Sequence, residues 1–242
     1  MKKHILSKEN IHYGNLILIN RDYKLKQNKK INLVEFSNDF NDIFLEEETM
    51  KMLHFVLDKI NASSSIVPVS GYRTQEEQKR IFDSSMKDEG EEFTLKYVAL
   101  PDTSEHQAGY AIDLGINMEN IDFIRPSFPY NGICQKFREE AINYGFIERY
   151  HESKTNITKI AKEEWHFRYV GYPHSKIIKE KNFCLEEYIL FLKDFLYKVN
   201  PLIYNNYEIS YLPFGKLNEI ELEYNATISG NNVDGFIITR KL

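Results

Sequence analysis

Apolar residues recur at intervals of three and four in several stretches of the chain, which is the period of an amphipathic helix. This pattern predicts three helices, at 46–60, 134–144 and 185–198. Thr74 and Glu77 form a capping box, so a further helix is predicted to begin there and to run to about Lys87.

Shorter apolar or alternating runs predict strands, because successive side chains of a strand point to opposite faces. These runs lie at 15–20, 65–73, 111–116, 146–149 and 163–170. Pro68, inside the second run, predicts an edge strand or a bulge. Beyond residue 200, alternating runs separated by Gly and Asn turn signals predict strands at 207–211, 220–224 and 236–239.

The order of these elements lacks the regular spacing of βαβ units, and therefore predicts an α+β fold. We expect a small, mostly antiparallel sheet with helices packed mainly on one face, plus a small C-terminal β appendage. The length predicts a main domain over 1–200 and an appendage of unknown role over 201–242. Residues 88–102 and 150–162 are polar without a period and are predicted to be irregular, the first as one wall of a cleft.

Charge and composition exclude several classes of partner. The net charge of −5 and the absence of a dominant basic stripe argue against nucleic acid, and the Lys-rich stretch 24–30 is predicted to be a solvated face. Two distant cysteines, Cys134 and Cys184, predict a reducing compartment. The chain has no apolar run of membrane-spanning length and no signal-peptide pattern, so we expect no membrane partner and a cytoplasmic location. The oligomeric state is left open.

Candidate chemistry centres on the stretch 104–113, in which His106 and Asp113 are seven residues apart with Gly109 between them. On an unbroken strand these two side chains would face opposite sides, so a shared ligand requires a bend, which glycine allows at low steric cost. Beyond the bend, Asp113 shares its strand face with small residues, which leaves room for a metal and a substrate.

A second stretch, 163–170, is predicted to be a strand with His166 and Arg168 on the face opposite its aromatic residues. Two imidazole nitrogens from His106 and His166 and one oxygen from Asp113 would form a three-ligand zinc set with the fourth position open for water. The residues alone leave structural interpretations open, because a lone strand histidine is usually satisfied within the fold and an aspartate often caps a turn.

A general base is predicted beside this set. Glu163 lies three residues before His166 and would sit over the open position of the metal. Glu164 is the competing candidate, because on a regular strand it shares the face of His166.

Three motifs, in this order, resemble those of the zinc D-Ala-D-Ala carboxypeptidases and dipeptidases of the VanY, VanX and VanXY type. They are Ser70-Gly71-Tyr72-Arg73-Thr74, Ser104-x-His106-x-x-Gly109-x-Ala111-x-Asp113 and Glu163-x-Trp165-His166. The resemblance covers roughly residues 12–195 and is strongest to the bifunctional VanXY type.

The resemblance implies a role for each matching residue. Zinc would be held by His106, Asp113 and His166, and Glu163 would be the general base. Arg73 would stabilise the tetrahedral oxyanion, although without the resemblance a surface arginine paired with a helix acid is slightly favoured. Ser104 and Gln78 would bind the polar ends of the dipeptide.

The implied reaction is hydrolysis of the amide between terminal D-amino acids, in D-Ala-D-Ala and in peptidoglycan precursors, which would support vancomycin resistance. The short polar segment 150–162 is expected to admit both substrates, with Glu152 as a candidate for meeting the amine of the dipeptide. Two other classes share the motifs: a phage-type endolysin peptidase, and a non-catalytic zinc-binding interaction domain. The latter would be expected to lack the base or the arginine, and this sequence keeps both Glu163 and Arg73.

Overall fold

The structure, a computed structural model, describes residues 1–26, 30–37 and 40–242, without the side chains of residues 40 and 41. Lys29 of the predicted solvated face lies outside the described residues, and Lys24, Lys26 and Lys30 are exposed as predicted.

Within the described residues, seven segments are α-helical. They are α1 (Glu47–Lys59), α2 (Gln75–Asp88), α3 (Glu91–Tyr97), α4 (Gly132–Ala141), α5 (Thr155–Thr158), α6 (His174–Lys181) and α7 (Leu185–Leu192). The strands are β1 (Lys2–Ile5), β2 (Leu33–Ser37), β3 (Phe40–Glu46), β4 (Ile66–Ser70), β5 (Ala111–Ile116), β6 (Phe146–Tyr150), β7 (Glu163–Tyr169), β8 (Leu202–Tyr204), β9 (Tyr207–Pro213), β10 (Glu219–Leu222), β11 (Ala226–Gly230) and β12 (Gly235–Lys241).

The central sheet has the strand order β4-β5-β7-β6, and all its pairs are antiparallel. Helices α1 and α4 cover one face, where Leu53 and Phe137 pack on Ile112 and Phe167. This arrangement confirms the predicted α+β fold, with helices mainly on one face of a small antiparallel sheet. Burial of these large side chains is the main driving force that holds the helices on the sheet.

Two local predictions for the edge of this sheet are confirmed. Strand β4 is an edge strand, and its register against β5 shifts between Pro68 and Ser70. The capping box at the start of α2 is formed, since Thr74 accepts from the Glu77 N–H and Glu77 accepts from the Thr74 N–H. The cap sets where α2 begins, immediately after Arg73.

The C-terminal β appendage is a four-stranded antiparallel sheet with the order β11-β12-β9-β8. Its buried face joins α6 and α7 in one apolar cluster, in which Ile209 and Ile237 pack with Tyr188 and Leu192. The remaining two pairs are β1 with β10 and β2 with β3. None of the helices in the part of the chain that the structure describes is long and apolar enough to cross a membrane.

The strand predicted at 15–20 is wrong. Its apolar residues are buried, but its backbone bonds to side chains and loops instead of to a neighbouring strand. The Leu18 N–H donates to Asn231 O at 3.1 Å, and Arg168 donates to Ile17 O at 2.9 Å. A buried arginine therefore satisfies carbonyls that a sheet would otherwise pair.

Three other predicted segments also differ from the structure. The segment 88–102 contains α3, which packs on α2 through a 2.8 Å hydrogen bond between Ser85 and Thr94. The segment 150–162 contains a short 3-10 turn followed by α5. Helix α7 ends at Leu192, because the following backbone pairs with Tyr211 of β9.

Candidate active site

His106 lies on a 3-10 turn, Glu105–Ala108, that ends at Gly109 in the left-handed region at φ 75°. This confirms the predicted bend. Nδ1 of His106 is 2.7 Å from Gly71 O, so its other nitrogen, Nε2, faces Asp113 Oδ2 at 3.2 Å. Among the described residues, this buried Nε2 has no hydrogen-bond partner, and is therefore available as a ligand atom.

Asp113 and His166 lie directly opposite each other on the paired strands β5 and β7. Facing residues of an antiparallel pair have close side chains, and Asp113 Oδ1 is 2.9 Å from His166 Nδ1. One ligand atom from each of His106, Asp113 and His166 can be chosen so that all three lie within 4.8 Å of one another. The structure thus brings together the three residues predicted to hold a metal.

Glu163 lines the same cavity, and its Oε2 is 3.8 Å from His166 Nδ1. Regular alternation would have turned Glu163 away from His166, but β7 is irregular here. Glu163 pairs with Tyr150 and Phe167 with Glu148, so β7 has extra residues between the two pairs. Such an irregularity twists a strand and re-aims its side chains.

The competing base, Glu164, does not line this cavity in the part of the chain that the structure describes. Glu163 is buried and Glu164 only half-buried. Burial raises the pKa of Glu163 to about 8, an effect that the nearby His166 and Arg73 partly oppose. A carboxyl group with a raised pKa suits general acid–base work near neutral pH.

Arg73 lies just before α2 and points into the site. Its Nη2 is 3.5 Å from Asp113 Oδ2, and its Nη1 donates to Gln78 Oε1 at 3.1 Å. The amide nitrogen of Gln78 donates to Ala99 O at 2.7 Å. Gln78, which was predicted to bind substrate, lines the cavity, and its amide oxygen also holds Arg73 in place.

The cavity has a volume of about 370 Å³, within the range of small-molecule sites. Ser104 lines it, as does Trp165, which also packs against the core. Residues 97–99 form part of the wall, which confirms the predicted position of the segment 88–102. Glu152 is absent from the described lining, so no contact supports its predicted role with an amine.

The charges of the site fit a divalent cation. Burial and the charge of Arg73 lower the pKa of His106 to about 4, which leaves a neutral imidazole at neutral pH. Burial by itself would raise the pKa of Asp113, but His106 and His166 hold it well below its usual range. Burial lowers the pKa of His166, but the neighbouring carboxylates of Asp113 and Glu105 outweigh it and raise the pKa to about 9. Two imidazoles and one carboxylate are a donor set that zinc prefers.

A buried network of charged side chains lies behind His106, Asp113 and His166, which we call the metal set. This network was not predicted from the sequence. Glu105 Oε1 is 2.9 Å from Arg149 Nε and 2.8 Å from Arg168 Nη1. Burial would raise the pKa of Glu105, but the charges of Arg149 and Arg168 outweigh it and keep the pKa below its usual range. The ring of Tyr150 lies beside His166, tilted by 35°, with 5.0 Å between ring centroids. Two features of the sequence could have indicated this network: Glu105 is an acid next to His106, and Arg168 shares a strand face with His166.

A donor set of two imidazoles and a carboxylate, with a buried acid and an arginine beside it, has the composition of a hydrolytic metal centre. Comparison with known proteins gives the family. The profile of the VanY D-alanyl-D-alanine carboxypeptidase family matches residues 42–172. The chain belongs to this family and is a D,D-peptidase.

Individual relatives agree with the family. The bifunctional D-Ala-D-Ala dipeptidase and D-Ala-D-Ala carboxypeptidase VanXYC of Enterococcus gallinarum is 42% identical over 177 residues, which are 72% of this chain and 92% of the relative. The structure of the vancomycin resistance D,D-dipeptidase VanXYg, in complex with a D-Ala-D-Ala phosphinate analog, superposes with a TM-score of 0.95 at 49% identity, covering 100% of this chain and 99% of that one. A Glu-to-Ala variant of the D,D-pentapeptidase VanY in complex with Zn(II) has a TM-score of 0.62 at 31% identity, over 72% of this chain and 98% of that one.

Proposed function

We propose that this chain is a zinc-dependent D,D-peptidase that hydrolyses the amide bond between terminal D-amino acids. Its substrates would be the dipeptide D-Ala-D-Ala and the pentapeptide precursor of peptidoglycan, and the loss of D-Ala-D-Ala ends would support vancomycin resistance. The observation that carries the proposal is the grouping of Glu163 and Arg73 around the ligand atoms of His106, Asp113 and His166 in one cavity.

The metal would be held by His106 Nε2, an oxygen of Asp113 and His166 Nδ1. When bound, zinc would polarise the scissile carbonyl and lower the pKa of water. Related structures support this metal, since the VanY variant was solved with Zn(II). Exposed carboxylate clusters are common without a metal, whereas this set is buried and includes an imidazole nitrogen that has no hydrogen-bond partner among the described residues.

Glu163 would take the proton of the attacking water and pass it to the leaving amine. Its burial fits this role, because a carboxyl group whose pKa is near the working pH can both accept and return a proton. Arg73 would stabilise the negative charge that develops on the carbonyl oxygen. Gln78 holds the Arg73 guanidinium in place beforehand, so this group would not need to reorganise during the reaction. Ser104, at the cavity wall, would bind a polar end of the substrate.

We place all of this chemistry in residues 1–200. The C-terminal segment 201–242 would act as a β appendage that supports the fold, since the described cavity lining lies between residues 69 and 166. A cytoplasmic site of action is part of the proposal, and the two free, buried cysteines fit a reducing compartment.

The test is release of D-Ala from D-Ala-D-Ala and from the pentapeptide precursor by the purified protein. We expect both substrates to be cleaved, activity to vanish with a chelator, and zinc to restore it. His106→Ala should lose bound zinc and activity together, because a ligand is removed. Full turnover by a zinc-free protein, or stoichiometric zinc in the His106→Ala variant, would place the chemistry elsewhere.

A further inference from the structure

Two buried polar atoms behind the metal set face each other without a hydrogen-bond partner among the described residues. They are Oε2 of Glu105 and Nε2 of His166, and they lie 3.6 Å apart. The side chains are 0% and 5% exposed, so both atoms are shielded from bulk solvent. An N–H···O hydrogen bond spans about 2.7–3.2 Å, so a small closing movement would pair the two atoms.

The position of the Glu105 carboxylate is fixed by its other oxygen. Oε1 lies 2.9 Å from Arg149 Nε and 2.8 Å from Arg168 Nη1. Arg149 in turn donates to both oxygens of Glu186, at 2.9 and 2.7 Å. Two arginines and two glutamates balance each other's charge in this cluster, so the buried Glu105 carboxylate has its charge partners in place.

The opposite nitrogen of the same imidazole faces the metal set. Nδ1 of His166 is 2.9 Å from Asp113 Oδ1 and 3.8 Å from Glu163 Oε2. Because a neutral imidazole carries one proton, a hydrogen bond at Nε2 leaves the lone pair at Nδ1. His106 shows the mirror arrangement, with Nδ1 held by Gly71 O and Nε2 facing the metal set.

We propose that Glu105 is a positioning residue that accepts the Nε2–H of His166 and keeps its Nδ1 lone pair directed at the zinc. This inference rests on the proposed zinc centre. Carboxylates that bind the outer nitrogen of a ligand histidine raise its basicity and fix its orientation, and their loss typically costs about 10–100-fold in metal affinity.

The competing explanation is that Glu105 only neutralises two buried arginines. Glu186 provides a matched control, since it belongs to the same network and binds Arg149 but makes no contact with His166 in the part of the chain that the structure describes. The experiment compares zinc affinity, measured by competition with a chromophoric chelator, in the wild type, Glu105→Ala and Glu186→Ala.

We expect Glu105→Ala to bind zinc about 10–100-fold more weakly and Glu186→Ala to stay within about 3-fold of the wild type. The absorption spectrum of the Co(II)-substituted protein should shift in the first variant only. Equal weakening in both variants would assign the effect to the arginine network and overturn the proposal. A wild-type protein that binds no zinc would instead reject the proposed metal centre.

A measurement on the unmodified protein covers the case in which Glu105→Ala does not fold. Long-range ¹H–¹⁵N correlation spectra of the zinc-loaded wild type should show His166 protonated at Nε2, with the metal at Nδ1. A proton-free Nε2, or a metal at Nε2, would contradict the assignment of Glu105.

Discussion

Two adjacent acids, Glu163 and Glu164, have different environments although both lie within three residues of the candidate metal ligand His166. Glu163 is buried in the cavity at 3.8 Å from His166 Nδ1, whereas Glu164 is half-buried outside the described lining. Position in the fold, and not residue type, therefore distinguishes the candidate base Glu163 from Glu164.

Replacement of Glu163 by Gln should leave zinc bound and reduce turnover. The amide is nearly isosteric but cannot take a proton, and general-base catalysis typically contributes about 10²–10⁴ in rate. The measurement is kcat on D-Ala-D-Ala together with zinc content. Glu164→Gln is the matched control and should remain close to wild type. The opposite ranking of the two variants would transfer the role to Glu164.

Arg73 is held by Gln78 and lies 3.5 Å from Asp113. Arg73→Ala should lower kcat by about 10²–10³ with a smaller change in KM, if the guanidinium acts on charge that develops in the transition state. Arg80→Ala, on the exposed side of α2, should have little effect. A large rise in KM at unchanged kcat would instead assign Arg73 to ground-state binding of the substrate.

At the scale of elements, the site depends on how closely two backbone segments approach. Gly71 follows β4, and its carbonyl orients His106 at 2.7 Å. A Cβ atom on Gly71 would lie 2.4 Å from Phe44 O in β3. This oxygen belongs to the backbone of a strand, so it could move away only if the strand itself shifted. Glycine is required here because β3 passes next to the carbonyl that holds the candidate metal ligand His106.

Gly71→Ala should therefore displace this carbonyl and weaken zinc binding. Overpacking of this kind typically costs about 1–3 kcal/mol in the free energy of unfolding. Zinc affinity, measured by chelator competition, should fall by about 10-fold or more, because an outer partner of His106 moves.

Gly90→Ala serves as the control for Gly71→Ala. Gly90 has φ +84°, and no heavy atom of a neighbouring residue lies within 4 Å of the place that a Cβ atom would take. Alanine there should cost stability, because its backbone is left-handed, without any change in zinc affinity. Equal zinc affinities for the two variants would show that the Gly71 carbonyl does not position His106.

At the scale of the whole molecule, a buried histidine links the C-terminal sheet to the rest of the chain. His174 Nδ1 is 2.7 Å from Tyr188 Oη, and its Nε2 is 2.9 Å from Thr239 Oγ1 in β12. Burial lowers the pKa of His174 to about 3. The imidazole is therefore neutral in the folded protein at neutral and mildly acidic pH.

The free energy of unfolding should fall as the pH drops below about 6.5, the ordinary pKa of histidine. Below this pH, His174 binds a proton in the unfolded chain but not in the folded protein. The loss continues until the pH reaches about 3, the pKa of folded His174. Between pH 7 and pH 5, the wild type should lose about 2 kcal/mol of unfolding free energy more than His174→Gln. Urea unfolding with a chelator present measures this difference without a contribution from metal. Parallel pH curves for the two proteins would show that His174 does not carry the effect.

Local patterns in the sequence determined most of the elements and the residue types of the site. The helical period and the capping box predicted α1 and α2, because caps and amphipathic faces depend on residues within a few positions of each other. His106, Asp113 and His166 lie in short motifs, and the resemblance of those motifs to the zinc D,D-peptidases implied that the three residues hold one metal; the structure brings them together.

Only the tertiary structure decided the contacts between distant segments. The register of β5 on β7 places Asp113 opposite His166, and the irregular pairing of β6 with β7 turns Glu163 into the cavity. The apolar residues of 15–20 predicted a strand, but the buried Arg168 donates hydrogen bonds to two carbonyls of this segment. The pairing of Glu105 with Arg149 and Arg168 was not predicted for the same physical reason: ion pairs between residues far apart in sequence depend on packing and leave no period along the chain.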